Sequence, residues 1–120
     1  LSAGMKVKYQ IAVALSHNAK LLILDEPTSG LDPVSREELL SLFMYLAQTK
    51  KISILFSTHI TSDLEKCADT ITYIKDGNLI ASMEKMKFIK HFQYLKTSST
   101  KPDLTLEEIM IKNERCSYDF

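Results

Sequence analysis

The chain has 120 residues, 45% of them hydrophobic, with 15 basic and 15 acidic side chains and therefore a formal net charge of zero. Balanced charge argues against nucleic acid as a partner, because a phosphate-binding face leaves a basic excess. The longest apolar stretches run four or five residues, far short of a membrane span, and no signal or lipidation motif stands at either end. Cys67 and Cys116 lack metal-ligand spacing and read as two reduced thiols.

In chain order, Ser2 is suited to cap a helix over 3–17, with Met5, Tyr9, Ala12, Val13 and Ser16 on one side and Asn18 ending it. Leu21 to Leu24 then run into two adjacent carboxylates, Asp25 and Glu26. An unbroken apolar run predicts a strand over 20–25 buried on both faces of a parallel sheet. Its C-terminal end is where open α/β sheets place ligands. Of two acids there, one can hold Mg²⁺ directly or through water, and the other can take a proton from an attacking water. Asp32 followed by Pro33 marks the next helix start. Glu37 and Glu38 suit its positive end and Lys50 and Lys51 its negative end. Leu39, Leu40, Phe43, Leu46 and Ala47 supply its buried stripe.

Residues 52–57 predict a second apolar strand, and residues 61–68 a short helix capped by Thr61 or Ser62. Residues 70–83 read as a hairpin turning at Asp76-Gly77. A basic amphipathic helix is expected over 84–95, with Met86, Ile89, Phe92 and Leu95 inside and Lys85, Lys87, Lys90 and Lys96 on a solvated face. TSSTKP at 97–102 reads as a linker. Thr105 and Glu108 form a capping box for a last short helix carrying Leu106, Ile109 and Met110, with fraying from Asn113. His17 and His91 read as structural. A lone histidine after an apolar strand, such as His59, is also structural more often than not.

Four ordered motifs change the weight of these residues. LSAGM at 1–5, LLILDEP at 21–27, SGLD at 29–32 and His59 at the end of ISILFSTH resemble the signature loop, Walker B strand, D-loop and switch histidine of ATP-binding-cassette (ABC) ATPases. The resemblance covers residues 1 to about 82. It implies an α/β fold: the C-terminal half of a P-loop NTPase (ABC-type) sheet with a helical C-terminal tail. The implied domains are 1–96 for the nucleotide-binding part and 97–120 for the linker and last helix. No GxxxxGK[ST] occurs, and the three glycines, Gly4, Gly30 and Gly77, cannot build a phosphate-cradling loop. The chain is therefore expected to be the C-terminal half of a nucleotide-binding domain without its Walker A, and not to hydrolyse ATP alone.

Carried over residue by residue, the resemblance makes Glu26 the general base and Asp25 the acid that holds Mg²⁺ through water. It makes His59 a γ-phosphate contact that braces the base. Ser2, Ala3 and Gly4 become the signature surface that closes on ATP held by the opposite subunit. A helix N-terminus favours an anion in any case. Ser29, Gly30, Leu31 and Asp32 become the D-loop crossing the dimer. The implied ligands are ATP and Mg²⁺. The implied partners are a second nucleotide-binding subunit and a separate transmembrane subunit, with a cytoplasmic location, peripheral on the inner face of the cell membrane. Two residues depart from the usual motif: Ala3 replaces a glycine and Met5 a glutamine. The LSAGM form and TLEEI at 105–109 are similar to a subset of bacterial exporters for drugs, peptides or lipids. Two other readings are an ATPase-dead truncated partner that supplies only the signature surface, and the C-terminal lobe of a chromosome-maintenance or repair ATPase. In the family a Walker A strand lies beside ISILFS and TITYI. Here both are expected to keep an unpaired apolar edge, which favours self-association.

Overall fold

A computed structural model describes residues 2–96 and 102–116. Contacts divide the chain into two compact units, Leu1–Asp63 and Leu64–Phe120.

In the first unit, α1 (Ala3–Ser16) starts where the Ser2 hydroxyl accepts the Met5 N–H at 3.2 Å. Asn18, at φ 59, takes the chain out of the helix. The inward face of α1 is not the expected one. Gly4 and Ile11 are buried and Val7, Ala14 and Leu15 half-buried, whereas Met5, Tyr9 and Val13 are exposed. The helix carries apolar residues on two sides, and periodicity alone selects neither. Gly4 packs against Ser35 and Leu31, where an added Cβ would meet Ser35 Cβ at 3.4 Å, an ordinary contact distance.

Strand β1 (Leu21–Asp25) pairs in parallel with β2 (Ser53–Ser57), in register from Leu21 opposite Ser53 to Asp25 opposite Ser57. Between them runs α2 (Pro33–Thr49), capped by the Asp32 carboxylate, which accepts the Ser35 N–H at 3.1 Å. Leu39, Leu40, Phe43 and Leu46 of α2 make the core with Leu22 and Ile52. The Phe43 and Phe56 rings stand 5.5 Å apart. The strands were expected to be buried on both faces, and the structure corrects this. Leu22, Leu24, Ile54 and Phe56 turn inward, while Leu21, Ile23 and Leu55 are exposed on the opposite face. Burial of both faces needs cover on both, and among the described residues the core is built on one.

A seven-residue helix, α3 (Thr61–Cys67), leads from the first unit into the second. There β3 (Thr70–Lys75) and β4 (Asn78–Glu84) form the expected antiparallel hairpin. Asp76 and Gly77, at φ 51 and 76, both take the left-handed conformation that a tight two-residue turn requires. The helix expected over 84–95 is α4 (Lys85–His91), followed by a tighter 3₁₀ turn over Phe92–Leu95. Phe88, not Met86, is its buried residue. It packs 4.8 Å from Phe92, an i, i+4 aromatic pair burying more area than an unbranched Met. Lys87 and Lys90 are exposed as expected, but Lys85 donates to the Glu65 carbonyl at 2.8 Å and Lys96 pairs with Asp103 at 3.2 Å.

The capping box at Thr105 and Glu108 starts α5 (Leu106–Cys116), and Leu106 and Ile109 join the core of the hairpin and α4. Because α5 shares that core, the compact units do not follow the expected step at 96/97. Fraying from Asn113 is also corrected as far as Cys116, where α5 ends, and residues 117–120 lie outside the described ones. Lys75 donates to the Asn113 carbonyl at 2.7 Å, and the Tyr73 hydroxyl donates to Glu114. Residues 97–101 of the expected linker lie outside the described residues. Cys67 is a half-buried thiol, and the side chain of Cys116 lies outside the described ones. No helix among the described residues is long and apolar enough to cross a membrane.

Candidate nucleotide site

The parallel register decides what meets at the rim of the sheet. It sets Asp25 opposite Ser57, so the loops leaving β1 and β2 start side by side. The Ser57 hydroxyl donates to Asp25 Oδ1 at 2.6 Å. The Glu26 N–H is shared between Ser57 Oγ and the Ser57 carbonyl, each at 3.0 Å. His59, two residues further on, brings Nδ1 to 2.9 Å from Glu26 Oε1, where the imidazole N–H donates to the carboxylate. Asp25, Glu26 and His59, singled out from the sequence, therefore stand together.

Glu26 sits at φ 43, a left-handed conformation for a residue with a Cβ. Such a residue costs on the order of 1–3 kcal/mol and persists only where its surroundings over-determine it. The Glu26–His59 contact cannot do this alone. Its side chains are 43% and 67% exposed, and exposed ion pairs are worth about 0–1 kcal/mol. The stronger ties lie beneath. The Thr28 hydroxyl donates to Asp63 Oδ2, and Arg36 donates to Asp63 Oδ1 through Nε at 2.9 Å and Nη2 at 2.8 Å. Thr28 and Asp63 are each 1% exposed. Hydrogen bonds to charged groups contribute about 1.5–3 kcal/mol each.

From Glu26 the chain makes two turns, closed by Ser29 N–H to the Glu26 carbonyl at 3.1 Å and Leu31 N–H to the Thr28 carbonyl at 3.2 Å. Gly30, at φ 77, supplies the left-handed residue between Ser29 and Leu31. Asp32 closes the segment as the α2 cap, and the Ser35 side chain and N–H hold its carboxyl below the usual carboxylate range. A recess of about 340 Å³ lies between α1, through Ala3, Val7 and Gln10, and the rim residues Asp25, Glu26, Ser29 and Leu31, with Ile23 in its wall. Of the expected signature residues, Ala3 lines this recess. Ser2 is occupied as the α1 cap, and Gly4 is buried against Leu31 and Ser35.

Ser57, Thr28, Arg36 and Asp63 did not stand out in the sequence. Ser57 had one available signal: it is the polar end of an apolar strand, opposite an acid in parallel register. Asp63 had none, because an acid in the first turn of a helix is ordinarily a solvated one.

The chain that carries this rim has relatives among known proteins. A family model described as "AAA domain, putative AbiEii toxin, Type IV TA system" matches residues 1–62. The bacitracin transport ATP-binding protein BcrA of Bacillus licheniformis is 36% identical over 111 residues, covering 89% of this chain and 36% of that protein. This chain is an AAA-domain protein of the ABC ATPase family. The lantibiotic transport ATP-binding protein SrtF of Streptococcus pyogenes is 42% identical over 83 residues, covering 69% of this chain and 36% of its own length. Among solved structures, cbiO1 of Clostridium perfringens, part of the ABC transporter complex cbiONQ, superposes with a TM-score of 0.68 at 30% identity, covering 80% of this chain and 38% of that one. The ATP-binding cassette MJ0796, in a dimeric post-hydrolysis state bound to ADP and Pi, gives a TM-score of 0.61 at 27% identity, covering 70% of this chain and 36% of the other. This ABC-family chain spans about a third of the length of the curated relatives it matches.

Proposed function

We propose that this chain is the signature-to-C-terminus part of the ATP-hydrolysing subunit of a bacterial ABC exporter. The observation that carries the reading is the 2.9 Å contact between His59 and Glu26 beside Asp25, at the end of a parallel sheet. In this reading Glu26 takes the proton of the water that attacks the γ-phosphate. His59 holds the carboxylate in place through its Nδ1–H and, when Nε2 also carries a proton, offers that second N–H to charge developing on the phosphoryl oxygens. The α1 N-terminus, with Ser2 and Ala3, faces ATP held by the opposite subunit, and Ser29 to Asp32 cross between the two sites. A separate transmembrane subunit carries the cargo, and the ATPase sits on the cytoplasmic face of the membrane. BcrA and SrtF, ATP-binding proteins of bacitracin and lantibiotic transport, favour a peptide-like cargo.

The residues present fit Mg²⁺ as a lightly held ion. The chain offers the Asp25 carboxylate, oriented by the Ser57 hydroxyl. Among the described residues no group of three or more His, Cys, Asp or Glu could hold a metal alone. Mg²⁺ keeps several waters and takes one or two carboxylates plus substrate phosphates. When bound it supplies neutralisation of phosphate charge.

The test is Glu26→Gln in the subunit that contains these residues. ATP binding and dimer closure should persist while turnover falls by about 10²–10⁴. Turnover at the unmutated rate would remove Glu26 as the base.

A further inference from the structure

The segments that carry Glu26 and His59 leave neighbouring strands, and their contact at the rim is open to solvent. Beneath it, one buried carboxylate reaches both. Asp63 lies four residues after His59. It accepts the hydroxyl of Thr28, two residues after Glu26, and two N–H groups of Arg36, in the first turn of α2 just past the Ser29–Asp32 segment. Arg36 Nη2 also donates to Ser62 Oγ at 2.9 Å.

We propose that Asp63 is a positioning residue, which with Thr28 and Arg36 forms a buried clamp holding the Glu26 segment and the His59 segment in the register that turnover requires. This rests on Glu26 being the base. A buried carboxylate is retained only where it is paired and hydrogen-bonded, and here one such group has partners on both sides of the rim. Its bonds fix Thr28, inside the turn pair, and Arg36, past its far end in α2, so the chain between these two points is held against sliding past His59. The left-handed Glu26 backbone is the kind of conformation that needs such outside restraint. Segments without buried ties open locally at low free energy.

The test uses Thr28→Val and Thr28→Ser in the subunit that carries this chain. Valine keeps the shape and deletes the donor, whereas serine keeps the hydroxyl. Two readouts are taken: amide hydrogen exchange at 26–31 and 58–60 without nucleotide, and kcat and KM for ATP. Thr28→Val should raise exchange at both segments by at least about tenfold and lower kcat about tenfold, with KM within about twofold. Thr28→Ser should restore both. Unchanged exchange in Thr28→Val overturns the clamp, as does a Thr28→Ser variant equally impaired, since that assigns the effect to shape. If Thr28→Val does not fold, Arg36→Gln is read by the same criteria. Raised exchange alongside a Glu26→Gln variant with normal turnover would instead overturn the reading of Glu26 and leave the clamp standing.

Discussion

The Ser57 hydroxyl donates to Asp25 at 2.6 Å, and the same oxygen accepts the Glu26 N–H at 3.0 Å. One side chain at the end of β2 therefore orients the Asp25 carboxylate and the Glu26 backbone together. Ser57→Ala removes both contacts but leaves the Glu26 N–H its second acceptor, the Ser57 carbonyl. The stability loss should be about 0.5–1.5 kcal/mol. The functional loss should fall on Mg²⁺, because outer-shell partners of a ligand are worth about 10–100-fold in metal affinity. Titrating ATPase rate against Mg²⁺ checks this. An unchanged Mg²⁺ dependence would mean that Asp25 does not need the hydroxyl.

His59→Ala should separate function from stability. Its contact with Glu26 is exposed on both sides, so the melting free energy should change by less than about 1 kcal/mol. In the proposed role, removal of His59 should lower turnover by about 10²–10³. A variant that melts normally and turns over normally would make His59 a surface residue.

Which parts of this were legible in the sequence follows from the range of each signal. Ser2, Asp32, Thr105-Glu108 and Asp76-Gly77 were readable because caps and tight turns are decided within four residues. The buried stripe of α2 was readable because its apolar residues lie on one side only. The inward face of α1 was not, since Met5 and Tyr9 compete with Val7 and Ile11 and the face that packs does so against residues far along the chain, such as Ser35, 31 positions from Gly4. The exposure of Ile23 and Leu55 was unreadable for the opposite reason: their composition states a preference for burial, and the chain supplies cover on the other face. The Glu26–His59 pair was suggested by motif order. The Thr28–Asp63–Arg36 cluster was hidden, because no local pattern distinguishes a buried acid from a solvated one.

The second unit has its own pH dependence. Burial, and then the bond to Glu114, raise the Tyr73 hydroxyl above the usual range for a phenol. A raised folded value means that the folded unit keeps its proton where the unfolded chain has lost it. The contribution is thus fully present below about pH 10, the unfolded value, and is lost as pH climbs through the folded one. Alkaline unfolding followed above pH 10 should be less steep in Tyr73→Phe than in the parent. Identical alkaline curves would show that the Tyr73–Glu114 bond does not persist in solution.

Residues 1–120 taken alone should self-associate. Leu21, Ile23 and Leu55 lie exposed on one face of the β1–β2 pair, at 53%, 71% and 61%. Within the described residues each strand is hydrogen-bonded on one side, to the other. A flat apolar face next to open backbone N–H and C=O groups is a template for another strand. Size-exclusion chromatography with light scattering should show dimers or larger species whose proportion rises with concentration. Ile23→Lys together with Leu55→Lys should shift the population towards monomer, because a charge on the face opposes stacking without touching the core around Leu22 and Phe43. A parent chain that stays monomeric in dilute buffer would refute the exposed face as an association surface.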